Sequence, residues 1–244
     1  MTEKGQTIGR TKVGTWFWDC WEDAHRWLSG VVDPKEYALV INGDCIEGNH
    51  HATDEIWSVN PRDHAKAAKE ALIPVASRAA KTYMVLGTKC HVGLSEISIA
   101  EALRAEVNPE FKQPYWYRLA MNACGVRVSI RHHFPATVRT YLEASQHSIQ
   151  MGNATNAAVR RGEVPPQVLV GAHRHCTGHF CDGNRLTVVT GAWEGNTDYV
   201  NNIAPDAAPC PSIYVLDWRD KRDGELPAVH FRRYNPPVDV AVTL

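Results

Sequence analysis

The sequence predicts a layered α/β sandwich, and two observations carry that expectation. Short apolar runs ending in glycine alternate with amphipathic or alanine-rich stretches early in the chain, and the later part carries apolar runs joined mostly by loops. Strands alternating with helices require a sheet whose faces the helices cover. The 244 residues are enough for one sizeable core, so a single domain over 1–244 is expected, with the polar, glycine-spaced residues 1–14 as a loose N-terminal arm.

Taken in order, Trp16, Phe17, Cys20, Trp21, Ala24, Trp27 and Leu28 recur at spacings of three and four, which predicts an amphipathic helix ending near Gly30. YALVING (37–43) is an apolar run stopped by Asn-Gly, the pattern of a buried strand feeding a loop. Residues 61–80, with Pro61 near the start and many alanines and lysines, read as a helix interrupted around Pro74. TYMVLG (82–87) is a second buried strand, and SEISIAEALRAEV (95–107) the helix after it. VRVSIRHHF (126–134) alternates apolar and polar residues, which predicts a strand with one exposed face. Residues 136–161 read as helix with a weak point at Gly152, and 167–172, 185–192, 212–218 and 228–234 as strands.

Composition removes several classes of function. Lys+Arg 26 against Asp+Glu 27 leaves a net charge of −1, so no global basic field holds nucleic acid or an anionic membrane, and only a local basic groove could. No run approaches the length of a membrane span, and the start MTEKGQTIGRTKVG has no hydrophobic signal core; a soluble, cytoplasmic chain without a membrane partner is expected. Seven scattered cysteines do not make a disulfide framework and read as reduced thiols. Twelve histidines is a high count, and several sit beside glycines at strand ends.

Four strand ends carry metal-competent side chains: NGDCIEGNHH (42–51), GTKCHVG (87–93), RHHFP (131–135) and GAHRH (171–175). In α/β proteins ligands collect beyond the carboxyl ends of strands, where loops project side chains without breaking the ladder. A carboxylate with imidazoles suits Zn, Mn, Fe or Ni rather than calcium, which takes oxygen ligands throughout. If 171–175 is extended, His173 and His175 share one face and grip one cluster.

These motifs, in this order, resemble calcineurin-like metallophosphoesterases, and most closely their compact bacterial and phage-encoded members with a GD then GT-x-x-H pattern. The resemblance spans roughly residues 16–218 and implies an α/β/β/α sandwich. It also implies that Asp44 bridges two divalent metals, that His173 binds the second metal and that His175 binds the first. From RHHFP it implies His133 as a second-metal ligand, because His133-Phe134-Pro135 fits a His-x-Pro pattern, with His132 close behind. Thr88 stands where the family has asparagine, so His91 is either a ligand or the catalytic acid that protonates the leaving group. Asn49, His50 and His51 would line the substrate cleft, and Glu47 or Asn49 would brace that loop. The implied substrate is a phosphodiester or phosphomonoester, nucleic acid included.

The family's opening Asp-x-His motif has no counterpart on a strand. Its one literal match, Asp23-Ala24-His25, falls inside the expected helix, where residues two apart diverge by about 200° and cannot chelate one ion. The expectation is therefore one well-formed metal site, one incomplete site, and weak or absent turnover. Where both ions bind, the family's pair, about 3.5–4 Å apart, clamps a phosphoryl group and acidifies the attacking water. The competing class is a non-catalytic module that keeps the fold.

Blander readings stand beside these. Asp44 after Asn42-Gly43 is also a good turn residue, and His173 and His175 could satisfy loop carbonyls. Cys176 and Cys181 lack the close spacing and second pair of a zinc knot. Cys90 beside His91 points away from it on a strand exit, Trp16, Trp18, Trp21 and Trp27 read as packing rather than a base-stacking platform, and GAWEGNT (191–197) as a structural loop.

Overall fold

The computed structural model of the chain describes residues 9–48, 56–89, 95–135, 143–195 and 209–236. Within them run α1 (Lys12–Val31), β1 (Ala38–Asn42), α2 (Pro61–Ala76), β2 (Lys81–Val85), α3 (Ser95–Ala102), β3 (Leu119–Ala123), β4 (Val126–His133), α4 (Glu143–Arg160), β5 (Val168–Ala172), β6 (Gly178–Cys181), β7 (Leu186–Val189), β8 (Ser212–Asp217) and β9 (Ala228–Arg233). β1 and β2 pair in parallel. A five-stranded sheet has the order β3-β4-β5-β7-β6, with β4, β5 and β7 parallel and the edge strands β3 and β6 antiparallel to their neighbours. β8 and β9 form an antiparallel pair.

Alternation along the strands sorts the side chains into three cores. Leu39, Ile41 and Met84 pack against Ala65 and Ala76 of α2 and Ile99 and Ala100 of α3. On the other face of the same strands, Val40, Tyr83 and Val85 meet Val128, Ile130, Val168, Val170 and Val188 of the large sheet, and Tyr214 and Leu216 of β8 join them. Leu169 and Val189 face outward, against Met151 of α4 and against Phe134, which follows β4. The order is therefore α2/α3, β1/β2, large sheet, α4. This is the layered α/β/β/α sandwich the sequence leads one to expect.

Several elements differ in extent. The helix at the start reaches back to Lys12, so residues 12–14 belong to it and not to a loose arm; Thr11 caps it, its Oγ1 accepting from the Gly14 N–H at 3.0 Å. α2 runs through Pro74 and ends at Ala76, with Ser77 satisfying the frayed end by donating N–H to Ile73 O at 2.9 Å and Oγ to Pro74 O at 2.9 Å. α3 stops at Ala102, and Arg104 with φ 52 leaves the right-handed region. β4 has the two unlike faces its alternation suggests: Val126, Val128, Ile130 and His132 are buried, while on the other face Arg127 and Arg131 are half-buried and His133 is exposed, and only Ser129, 6% exposed, departs from the pattern. α4 continues through Gly152. β3 and β6 have no sequence counterpart above: LAMNA and GHFC are short, lack β-branched residues and mark only sheet edges. No helix among the described residues is long and apolar enough to cross a membrane.

Asp23 and His25 lie within α1, as their spacing requires. Asp23 Oδ2 accepts from Arg232 Nε at 3.0 Å and from the Tyr234 hydroxyl at 2.6 Å, which fastens α1 to the end of β9. The His25 ring sits 4.4 Å from that of Trp21, and Trp21 packs edge-on to Trp193 at 4.8 Å. This pair of residues docks a helix. Burial, then Arg78, holds the His25 pKa below its usual value.

Candidate metal centre

The carboxyl ends of β1, β2, β4 and β5 converge. Two glycines make that approach close: Gly43, with φ +78, has only 2.5 Å between a would-be Cβ and Gly87 Cα, and a Cβ on Gly87 would overlap Asp44 Oδ1 and its backbone N. Only hydrogen fits at either position. Gly87→Ala forces the two loops apart, with an expected loss of about 1–3 kcal/mol in urea unfolding, the usual scale of overpacking. An unchanged midpoint would mean that the loops are not tightly apposed.

Asp44 leaves Gly43 in the left-handed region, φ 51, which aspartate tolerates better than most residues. Its Oδ1 accepts from the Thr88 N–H at 2.5 Å and its Oδ2 from the Thr88 hydroxyl at 3.3 Å. His132 Nε2 lies 2.8 Å from Asp44 Oδ2, and Thr88 Oγ1 lies 3.1 Å from His173 Nδ1. Asp44, His132 and His173 each offer a ligand atom within 4.8 Å of the others, so only a small approach of the donors is needed to reach the roughly 4 Å that two bonds of about 2 Å span around one ion.

The protonation states follow from the partners. His132 Nδ1 is 2.6 Å from the Asn42 carbonyl oxygen, which only accepts, so the ring proton sits on Nδ1 and Nε2 carries a lone pair. That lone pair faces a carboxylate oxygen at 2.8 Å, and although this is within ion-pair distance, Nε2 is buried without a well-directed hydrogen bond among the described residues. Two acceptors at that distance require a cation between them or a proton on Nε2. Burial opposes the proton, but the Asp44 carboxylate and the Asn42 carbonyl outweigh it and raise the His132 pKa. At His173, burial first and the neighbouring rings of His133 and His132 next push the pKa down to about 4. His173 is neutral at pH 7. Thr88 has one hydroxyl proton: given to Asp44, it leaves Oγ1 to accept from His173 Nδ1–H and frees the Nε2 lone pair for an ion, whereas given to His173 Nδ1 it occupies the ring's one lone pair.

Without metal, the two rings set stability in adjoining pH windows. His173 is depressed below its ordinary 6.5, so the unfolded chain binds the extra proton first and stability falls as pH drops from 6.5 toward about 4. His132 is raised, so its contribution is full below 6.5 and is lost as pH climbs through its folded value. The melting temperature of EDTA-treated protein should fall on both sides of about pH 6.5, and His173→Gln should flatten the acid limb between 4 and 6.5. An acid limb identical in the variant would show that His173 is not held neutral by the fold.

The remaining expected residues are placed as follows. His133, preferred to His132 on the His-x-Pro pattern, stands outside the three-residue group: it is exposed at the end of β4 and stacks on His173 with ring centroids 4.5 Å apart. A register shift between Ile130 and His133 and the alternation of the strand aim His132, not His133, toward Asp44. His173 and His175 do not share the face of an extended strand, because β5 ends at Ala172 and both adopt left-handed backbone, φ 73 and 59. His175 also stands outside the group, near enough for its charge to lower the His173 pKa. His91, Asn49, His50 and His51 lie outside the described residues, and so does Cys90.

One functional group escaped the sequence reading. Glu96, in the first turn of α3 and 0% exposed, accepts from the Cys45 N–H at 3.0 Å through Oε1 and from the Gly87 N–H at 2.7 Å through Oε2. One carboxylate thus ties the loop carrying Asp44 to the loop carrying Thr88. Burial raises its pKa against the opposing pull of the Gly87 and Cys45 hydrogen bonds, and the Cys45 thiol beside it is raised well above its ordinary value by its own burial and then by Glu96.

The sequence matches no protein-family model and no curated protein. Solved structures with a similar backbone include an archaeal phosphodiesterase, at 11% identity over 89% of this chain and 92% of that one, with a TM-score of 0.44. Vps29 of Entamoeba histolytica complexed with zinc is similar at 14% identity over 81% and 98% of the two chains, TM-score 0.41. Vps29 of Cryptosporidium parvum is similar at 16% identity over 83% and 100%, TM-score 0.38.

Proposed function

We propose that the chain binds a divalent transition metal through Asp44, His132 and His173 and hydrolyses phosphoester bonds with it. The observation that supports this is His132 Nε2, buried without a well-directed hydrogen bond among the described residues at 2.8 Å from Asp44 Oδ2, with the neutral His173 ring closing the group. The donor set fits the ion: one carboxylate and two imidazoles suit Zn, Mn, Fe or Ni. A divalent ion there supplies Lewis acidity toward a phosphoryl oxygen and acidifies water near neutral pH. The chain's own part is to hold the donors. Thr88 fixes the carboxylate with two hydrogen bonds and touches His173, while the Asn42 carbonyl fixes the His132 ring. The substrate class this reading implies is a phosphodiester or phosphomonoester, nucleic acid included. His91 as proton donor and Asn49, His50 and His51 as substrate contacts belong to the same proposal, and so does His175 as a ligand of a second ion.

A second reading, a metal-binding module without turnover, is favoured by the fate of the only Asp-x-His sequence: it lies within α1, and its acid is spent on Arg232 and Tyr234. The test is metal content of the purified chain together with hydrolysis of bis-p-nitrophenyl phosphate in added manganese. About one ion per chain with manganese-dependent hydrolysis supports the enzyme; one ion without hydrolysis supports the module; no bound ion overturns both.

A further inference from the structure

A second charged feature lies on the opposite face of the large sheet, along β3 and β4 beneath the C-terminal half of α4. Arg118, Arg127, Arg131 and Arg161 line a cavity of about 70 Å³ in which Glu163 is the one carboxylate among the described residues. Arg127 and Arg131 alternate with Val126, Val128 and Ile130, which point into the inter-sheet core, so the thickness of the sheet separates this groove from the group at Asp44. On the helix side Ala154, Ala157 and Ala158 supply only methyl groups and leave the room. Three positive charges are uncompensated there, in a chain whose net charge is −1.

The groove already holds one oxyanion of its own. Glu163 accepts from both terminal nitrogens of Arg118 at 3.0 Å, and from Arg161 Nε at 2.8 Å and its terminal nitrogen at 3.2 Å. Paired forks of this kind recognise phosphate as readily as carboxylate. The Arg131 donors remain in part unmet: one terminal nitrogen donates to Gln150 Oε1 at 2.9 Å, but Nε is buried with no hydrogen-bond partner among the described residues. Its burial, and then the like charge of Arg118, pull the Arg131 pKa below the arginine norm. A buried, unmet donor among crowded guanidinium groups is short of an anion.

We propose that this groove binds a phosphate-type oxyanion, carried either by a small phosphate or by the backbone of a nucleic acid strand. Pyrophosphate titrated into EDTA-treated full-length protein at about 50 mM salt should bind saturably, and more weakly as salt rises. Arg127→Gln should weaken binding about tenfold, the value of one charge-assisted hydrogen bond. Glu163→Gln should tighten it severalfold by removing the internal competitor, an outcome that misfolding does not imitate. Asp44→Ala should leave it unchanged, which separates this groove from the metal centre. A short oligothymidylate without terminal phosphate that competes with pyrophosphate assigns the site to nucleic acid backbone, and one that does not compete assigns it to small phosphates. No saturable binding, binding indifferent to both groove variants, or binding lost in Asp44→Ala overturns the proposal.

Discussion

Asp44→Ala and His132→Ala should each leave the purified chain with almost no transition metal, whereas His133→Ala should retain it within severalfold of the wild-type affinity. The contrast rests on direction, since all three side chains lie at converging strand ends. His132 Nε2 is 2.8 Å from the Asp44 carboxylate, while the exposed His133 ring lies flat against His173 at 4.5 Å and stands outside the group of ligand atoms. Outer partners of metal ligands are typically worth about 10–100-fold in affinity, so losing a ligand from a three-donor site should exceed about 100-fold. Losing Asp44 also strands a chain of partners, because the Thr88 N–H, the Thr88 hydroxyl and the His132 ring all turn to its two oxygens. Competition with a chelating dye measures the affinity, and circular dichroism confirms that the variants fold. If His133→Ala lost the metal and His132→Ala kept it, the assignment of the pair would be reversed and the geometry of the strand end misread.

That pair shows where sequence reading stops. An acid after Asn-Gly and a histidine pair at the end of an apolar run mark a site, because only loops beyond strand ends can bring such groups together without breaking a ladder. Choosing between adjacent histidines depends on one residue of register, and β4 shifts register between Ile130 and His133. Similarly, the alternation expected of His173 and His175 presumes an extended chain, yet both residues are left-handed just past the last ladder hydrogen bonds. The helices and the central strands were legible because their periodicity is written in many apolar residues. β3 and β6 were not, since an edge strand needs only backbone partners and leaves little hydrophobic trace. Glu96 offered the faintest signal of all. An acid in the first turn of a helix is ordinary dipole chemistry on the surface, and only its complete burial and its two backbone donors give it another task.

Glu96 therefore carries the second large effect. Glu96→Ala should destabilise the fold by about 3–5 kcal/mol, because truncation leaves two buried N–H groups unpaired, each worth about 1–3 kcal/mol, and opens a cavity as well. Glu96→Gln keeps one oxygen for either Gly87 or Cys45 but presents an amide NH₂ to the other, so it should lose about 1–3 kcal/mol. The graded pair identifies a hydrogen-bonding role, since a purely volumetric one would leave the glutamine variant near wild type. The consequence for the site is positional: the Cys45 N–H follows Asp44 directly, and the Gly87 N–H precedes Thr88, so freeing either loop lets the carboxylate and its threonine partner drift apart. Metal affinity in Glu96→Gln should accordingly fall by about 10–100-fold, as for other supports behind a ligand, even though Glu96 is not itself in the three-donor group. Urea unfolding without metal and dye competition with it read the two effects separately. A glutamine variant that loses stability but binds metal as tightly as the wild type would confine Glu96 to the fold and leave Thr88 alone to hold Asp44 in place.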